Sequence, residues 1–206
     1  DEKDMTSLPD DDICYVNELD NNVKGKKLFY IKEAIEIDNG TDGLRSVLDN
    51  FRQTVNKCKE IGFEVEEVSF GKELLNAIYP AYNVISCAEA TSNNSNLTGI
   101  SFGNRVDGKN VEEIMFNTRT KGFSELIKRR FIIGSYALMK ENQEEVFIRA
   151  QKYRHKIVDS FNKIFEEYDF VMAPASPTTA PEINASSDKL SSEYLIAENF
   201  MAYANF

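Results

Sequence analysis

Leu28-Phe29-Tyr30-Ile31 is a continuous apolar run bounded by lysines. After Asn39-Gly40 it is followed by apolar residues at Leu44, Val47, Leu48, Phe51, Val55, Cys58 and Ile61, and then by Gly62-Phe63-Glu64-Val65 running on to Val68 and Phe70. The first run has the pattern of a strand buried on both faces, because no polar residue alternates into it. The second keeps steps of three and four and so holds one face of an amphipathic helix, with Gly62 as its C-terminal cap. In the third, Glu64, Glu66 and Glu67 break the apolar pattern, which predicts a partly exposed or edge strand. Strand, helix and strand within so few residues predict a right-handed βαβ crossover and place the chain in the α/β class.

The flanks follow from that unit. Residues 1–26, with Asp10-Asp11-Asp12 behind Pro9, read as an acidic connector, 27–70 as the βαβ unit and 71–206 as mainly helical. Within the last part a helix is expected from Ala81 to about Ser92, beginning after Pro80, and then a polar loop carrying Gly99, Gly103 and Gly108. A long helix over 111–138 is expected to be interrupted near Gly122, and the next is marked by Val146, Ala150, Tyr153, Ile157, Phe161, Ile164 and Tyr168. A short buried strand near 170–173 is closed by Pro174 and Pro177, and a last helix starts near Ser191. The chain opens on Asp1 and stops at Phe206 inside a helical pattern, so it reads as one partial domain.

With 42% hydrophobic and 28% charged residues over 206 positions, the composition supports a packed core and excludes a disordered tail. A net charge of −10 makes the average surface repel nucleic acid and anionic lipid. No run approaches the about 18 apolar residues of a membrane helix. Cys14, Cys58 and Cys87 form neither a disulfide framework nor a zinc motif, which fits a reducing compartment. His155 is the only histidine and is expected on a solvated helix face among bases, so a His-based metal cluster and a Ser-His-Asp triad are both excluded.

Arg130 stands out on spacing alone. Leu126, Arg130, Ile133 and Ala137 fall in steps of four, three and four, which puts a guanidinium inside an apolar stripe. Such a charge needs an anion, either a structural carboxylate or a carboxylate ligand, and arginine can grip either bidentately. Tyr82 reads as a core tyrosine at a helix start, and Glu198 as an ordinary helix acid.

Five segments in order carry a family resemblance. They are Asp1-Glu2-Lys3-Asp4-Met5-Thr6-Ser7; Pro80-Ala81-Tyr82-Asn83-Val84-Ile85 with Ala88-Glu89-Ala90 and Asn96-Leu97; Gly122-Phe123 with Lys128-Arg129-Arg130; Gln151-Lys152 with Arg154; and Tyr168-Asp169 with Ala173-Pro174-Ala175-Ser176-Pro177-Thr178. Together they resemble the amidase signature family, and within it the branch that releases ammonia from glutamine for tRNA-dependent amidation. Met5 stands where that family has serine, and Asn83 where it has a second tyrosine.

The resemblance implies a mixed β-sheet flanked by α-helices. It also implies that Arg130 holds the glutamine α-carboxylate, that Tyr82 lines the pocket and that Glu198 pairs with the α-amino group. It implies partner subunits B and C, with ATP and magnesium held by a partner rather than by this chain, which has no cofactor of its own. In the same way tRNA is reached only through the complex, and no membrane is involved. A bacterial-type cytoplasm or an endosymbiotic organelle is the expected setting. The serine nucleophile, second serine and lysine base of the family, carried by a G-G-S-S-G-G-S stretch and an upstream lysine, have no counterpart here. The chain is therefore expected to hold recognition without catalysis. The competing readings are a hydrolase of other small amides and a catalytically silent scaffold protein.

Overall fold

Strand β1 (Lys27–Ile31) lies between two neighbours, and that position explains its unbroken apolar sequence. The computed structural model describes residues 3–4, 7–9, 13–36, 42–176, 179–180 and 202–206. Strand β2 (Glu64–Val68) pairs parallel with β1, Lys27 opposite Glu64 and Ile31 opposite Val68. Strand β3 (Phe170–Met172) pairs parallel on the other side, with Leu28 opposite Phe170. The order is β2-β1-β3, and among the described residues both pairings are parallel, with no antiparallel member of the expected mixed sheet. Glu64, Glu66 and Glu67 are exposed on the outer strand β2, as their interruption of the pattern requires.

Ahead of the sheet lies a single exposed turn, α1 (Tyr15–Glu18). Directly after β1 comes α2 (Lys32–Ile35), and then the crossover helix α3 (Asp42–Glu60), which buries Leu44, Leu48, Phe51 and Val55. Its C-terminus closes as the sequence predicts: Gly62 takes φ 108°, its amide donates to the Lys59 carbonyl, and the Phe63 amide donates to that of Cys58, both at 3.1 Å. Ile61 lies beyond the last helical turn and is 63% exposed, so the apolar stripe stops one residue earlier than its spacing suggests. Tyr30 meets Phe51 of α3 edge-on at 5.8 Å, while Phe29 and Ile31, pointing the other way, enter the main core.

That core is formed with α4 (Lys72–Asn93) and α7 (Arg149–Phe165): Ile78, Ile157, Phe161 and Phe70 close over the sheet. Helix α4 begins nine residues before the expected Ala81, and Pro80 sits inside it. A proline there removes one helical hydrogen bond at a cost of about 3 kcal/mol. Burial of Ile78, with Leu74 and Leu75 packed beside it, offsets that cost, and no local rule registers it. The long segment divides as expected into α5 (Val111–Gly122) and α6 (Glu125–Leu138). Asn110 caps α5 by accepting from the Glu113 amide, and Ser124 caps α6 by accepting from that of Ile127. A π-helical turn over Glu144–Ile148 precedes α7, and Tyr168 lies past its end. The expected final helix falls largely outside the described residues, which resume with a 3-10 turn over Ala202–Asn205.

The turn from β2 into α4 is held by Glu33 of α2. Its carboxylate accepts from the Phe70 amide at 3.0 Å, the Gly71 amide at 3.1 Å and the Ser69 hydroxyl. Burial works to raise its pKa, and these donors outweigh burial and hold the carboxyl down at about 2. A carboxyl depressed below its ordinary 4.5 contributes stability above that pH, lost as pH falls from 4.5 towards 2. Glu33→Gln is therefore expected to lower stability at pH 7 by roughly 2 kcal/mol and to flatten its dependence on pH below 4.5. Urea unfolding of both forms at neutral and acid pH measures this, and parallel pH profiles would remove the role given to Glu33.

Candidate functional site

One face of α4 serves the core through Ile78, Ala81, Ile85 and Ala88, and the opposite face, Asn83, Cys87 and Thr91, meets α6. The approach is backbone to backbone. A Cβ added at Gly134 would lie 2.1 Å from the Cys87 carbonyl oxygen and 2.2 Å from the Thr91 hydroxyl. The Thr91 hydroxyl donates to the Cys87 carbonyl at 2.8 Å and lies 3.4 Å from that of Phe131. Cys87 is fully buried in the seam, its sulfur 3.5 Å from Asn83 Oδ1. Burial pushes its thiol pKa up, against the opposing positive charge of Arg130 and a hydrogen bond with Ser86.

Arg130 is half-buried on α6, in the stripe that ends on the fully buried Ala137. Among the described residues it makes no hydrogen bond and no ion pair, so the structural carboxylate that its position could have had is not found. Its neighbours are otherwise engaged: Lys128 bonds Glu125 at 2.8 Å. Tyr82 is also half-buried, but it packs on the main core with its ring 6.4 Å from that of Phe206. Tyr82 and Cys87 are five positions apart on α4, about 140° around the axis, so the Tyr82 side chain leaves α4 on a different side from the one that faces Arg130. Glu198 lies outside the described residues.

Three surface grooves, of about 370, 530 and 650 Å³, lie between α5 and α6, beside α2 and α3, and at the start of α7. Neither Tyr82 nor Arg130 lines any of them. His155 is 79% exposed and 3.5 Å from Asp159, the solvated position expected for it. Among the described residues no group of three or more His, Cys, Asp or Glu side chains could hold a metal, and no helix is long and apolar enough to cross a membrane.

Two residues of this region, Arg119 and Thr118, had no signal in the sequence. Arg119 of α5 donates to the carbonyls of Asn94 and Leu97 at 2.8 and 3.1 Å, and its guanidinium lies 5.0 Å from the Phe123 ring and 5.4 Å from that of Phe131. It ties the loop after α4 to both α5 and α6. Gly99 in that loop, at φ 78°, faces the buried Thr118, whose hydroxyl would be 2.5 Å from an added Cβ and which accepts from the Val106 amide. A single arginine on a polar helix carries no periodic signal, whereas the glycine-rich spacing did mark the loop.

The arrangement is a helical seam presenting a guanidinium without a partner among the described residues, beside a parallel α/β core, and the family is shown by comparison. The amidase family model matches residues 1–206, and the chain belongs to that family. Among curated relatives it is 37% identical over 192 residues to the A subunit of glutamyl-tRNA(Gln) amidotransferase from Ruthia magnifica, covering 93% of this chain and 39% of that protein. It is 36% identical to the corresponding protein of Neisseria meningitidis serogroup C, over 97% of this chain and 41% of the relative. The chain thus spans about two fifths of the length of these relatives. The crystal structure of the same amidotransferase's A subunit from Thermotoga maritima superposes with a TM-score of 0.60 at 28% identity, over 91% of this chain and 34% of that one. A bacterial aryl acylamidase of the amidase signature enzymes, 14% identical, matches with a TM-score of 0.55 over 94% of this chain and 37% of that one, a likeness of fold alone.

Gly134→Ala is expected to force α4 and α6 apart and to cost roughly 2 to 3 kcal/mol, while Ser135→Ala on the exposed side changes stability by less than about 0.5 kcal/mol. Urea midpoints of the two variants measure the difference, and equal midpoints would show that the seam is not this tight.

Proposed function

We propose that this chain forms the glutamine-recognition part of the glutaminase component of a glutamyl-tRNA(Gln) amidotransferase, whose ammonia converts Glu-tRNA(Gln) to Gln-tRNA(Gln). The observation that carries the reading is Arg130, half-buried in the α4–α6 seam without a hydrogen bond or ion pair among the described residues. A guanidinium so placed is completed by a planar carboxylate ligand, which it can grip through two parallel N–H donors. The names of the relatives, which cover more than nine tenths of this chain, favour glutamine as the source of that carboxylate.

In this reading Arg130 holds the α-carboxylate and Glu198 pairs with the α-amino group, while Tyr82, which packs on the core side of α4, is assigned to the pocket by the family resemblance alone. A cation for the carboxylate and an anion for the amine together select a zwitterionic amino acid over a simple amide. Attack on the side-chain amide requires the serine and lysine that these 206 residues do not supply as a G-G-S-S-G-G-S stretch, so the chain alone binds glutamine and hydrolyses nothing. Subunits B and C are its partners, ATP and magnesium act in one of those partners, and tRNA is met in the assembled complex.

In the assembled enzyme, Arg130→Lys is expected to raise the KM for glutamine roughly tenfold to a hundredfold with little change in kcat, because an ammonium cannot reproduce two parallel bonds. Steady-state glutaminase assays measure it. An unchanged KM in Arg130→Lys and Arg130→Ala would favour a hydrolase of other small amides.

A further inference from the structure

The charge of this chain is unevenly placed. Residues 149–156 hold Arg149, Lys152, Arg154, His155 and Lys156 and no acid, although the chain carries 34 acids against 24 bases. Arg154 turns towards Phe206, 6.0 Å from its ring, and the others face the groove of about 650 Å³ at the start of α7, with Gln151 and Tyr153. Lys156 Nζ lies 5.7 Å from the Tyr153 ring centroid, so cation and aromatic face share one wall.

We propose that this groove binds the phosphate backbone of an RNA, an inference that rests on the amidotransferase reading only for the presence of tRNA in the complex. Arg149, Lys152 and Lys156 span roughly 10 Å along the helix, enough to meet two neighbouring phosphates of one strand. Acids stand nearby: Glu145 is 3.5 Å from Arg149, Glu144 is 2.8 Å from Lys152 and Asp159 is 3.5 Å from His155. None of these acids lines the groove, and each pair has both side chains more than half exposed, where solvent screening leaves such pairs weak. Phosphates can therefore displace them. Lys156 pairs with no acid among the described residues. The Tyr153 ring favours RNA over an acidic peptide, because a base can stack there and a carboxylate side chain cannot. The repulsion expected from the net charge of −10 is an average, and within the Debye length of about 8 Å the local field governs.

The test is fluorescence anisotropy of the whole chain with a labelled tRNA between about 50 and 200 mM salt. Binding is expected to weaken linearly on logarithmic axes as salt rises. The triple variant Arg149→Gln, Lys152→Gln, Lys156→Gln is expected to lose at least tenfold in affinity and about 2 units of that slope. A triple with the same charge change on α3, Arg52→Gln, Lys57→Gln, Lys59→Gln, is expected to stay within about twofold. Lys156→Gln alone, at an exposed position, should remove roughly one unit of slope and serves if the triple variant folds poorly. No binding at about 50 mM salt, equal losses in the two triples, or competition by polyglutamate as strong as by unlabelled tRNA would each overturn the assignment, the last in favour of an acidic peptide. Glutamine recognition by Arg130 does not enter the assay, so a negative result here and a failure of the Arg130 prediction are separate outcomes.

Discussion

The absence of a side chain at Gly134 is the constraint on which the candidate site depends. Only a hydrogen there lets the backbone of α6 rest against the Cys87 carbonyl, and any larger residue meets backbone rather than a movable side-chain tip. The consequences spread along both helices. Cys87 is sealed from solvent, Thr91 turns its hydroxyl back onto its own helix within reach of α6, and Arg130, one turn before Gly134, is drawn half into the seam. Arg119 reinforces the arrangement from α5 by giving its donors to two carbonyls of the loop that leaves α4. The seam is polar along its rim and bare where the two backbones must be close.

The other face of α4 is fixed independently. Glu33 commits its carboxylate to the two amides and the hydroxyl that lead into the helix, and Ile78 locks the next turns under the sheet. A helix held on both sides tolerates Pro80 in its interior, because the lost hydrogen bond is small beside the packing that would be lost by stopping there. This double anchoring also separates two of the residues proposed for the site: the Tyr82 side chain points to the core side of α4, and Arg130 meets its seam side.

Much of this was legible in the residues. The unbroken run at Leu28–Ile31 marked the central strand, the acids of β2 its outer place, and Gly62 the end of α3, since each signal is local and each is decided by neighbours in sequence. The start of α4 was not legible, because proline is a strong local breaker and its tolerance here is set by Ile78 meeting Phe29 and Ile157, contacts far apart in the chain. The π-helical turn before α7 escaped for the same reason. The stripe through Leu126, Ile133 and Ala137 did place Arg130 in an apolar setting, but whether a carboxylate of the chain would reach it depended on tertiary structure. The role of Arg119 had no signal at all, and Glu198 lies outside the described residues.

Arg130 has no hydrogen bond or ion pair among the described residues, and this bears on what its half-buried position is for. Partial burial of a guanidinium costs free energy unless its donors are met, and among the described residues no hydrogen bond or ion pair meets them. The Cys87 thiol, its pKa raised by burial, stays neutral where Arg130 is charged, and Asn83 offers its oxygen to Cys87. A fold that needed the charge only for packing would gain by an apolar residue of similar volume in the same stripe. An arginine there suits the carboxylate ligand proposed above, which the planar fork would select by geometry as well as by charge. Under the proposed assignment, the desolvation cost at Arg130 is recovered when a carboxylate ligand meets it, so that the same cost sharpens the choice of ligand.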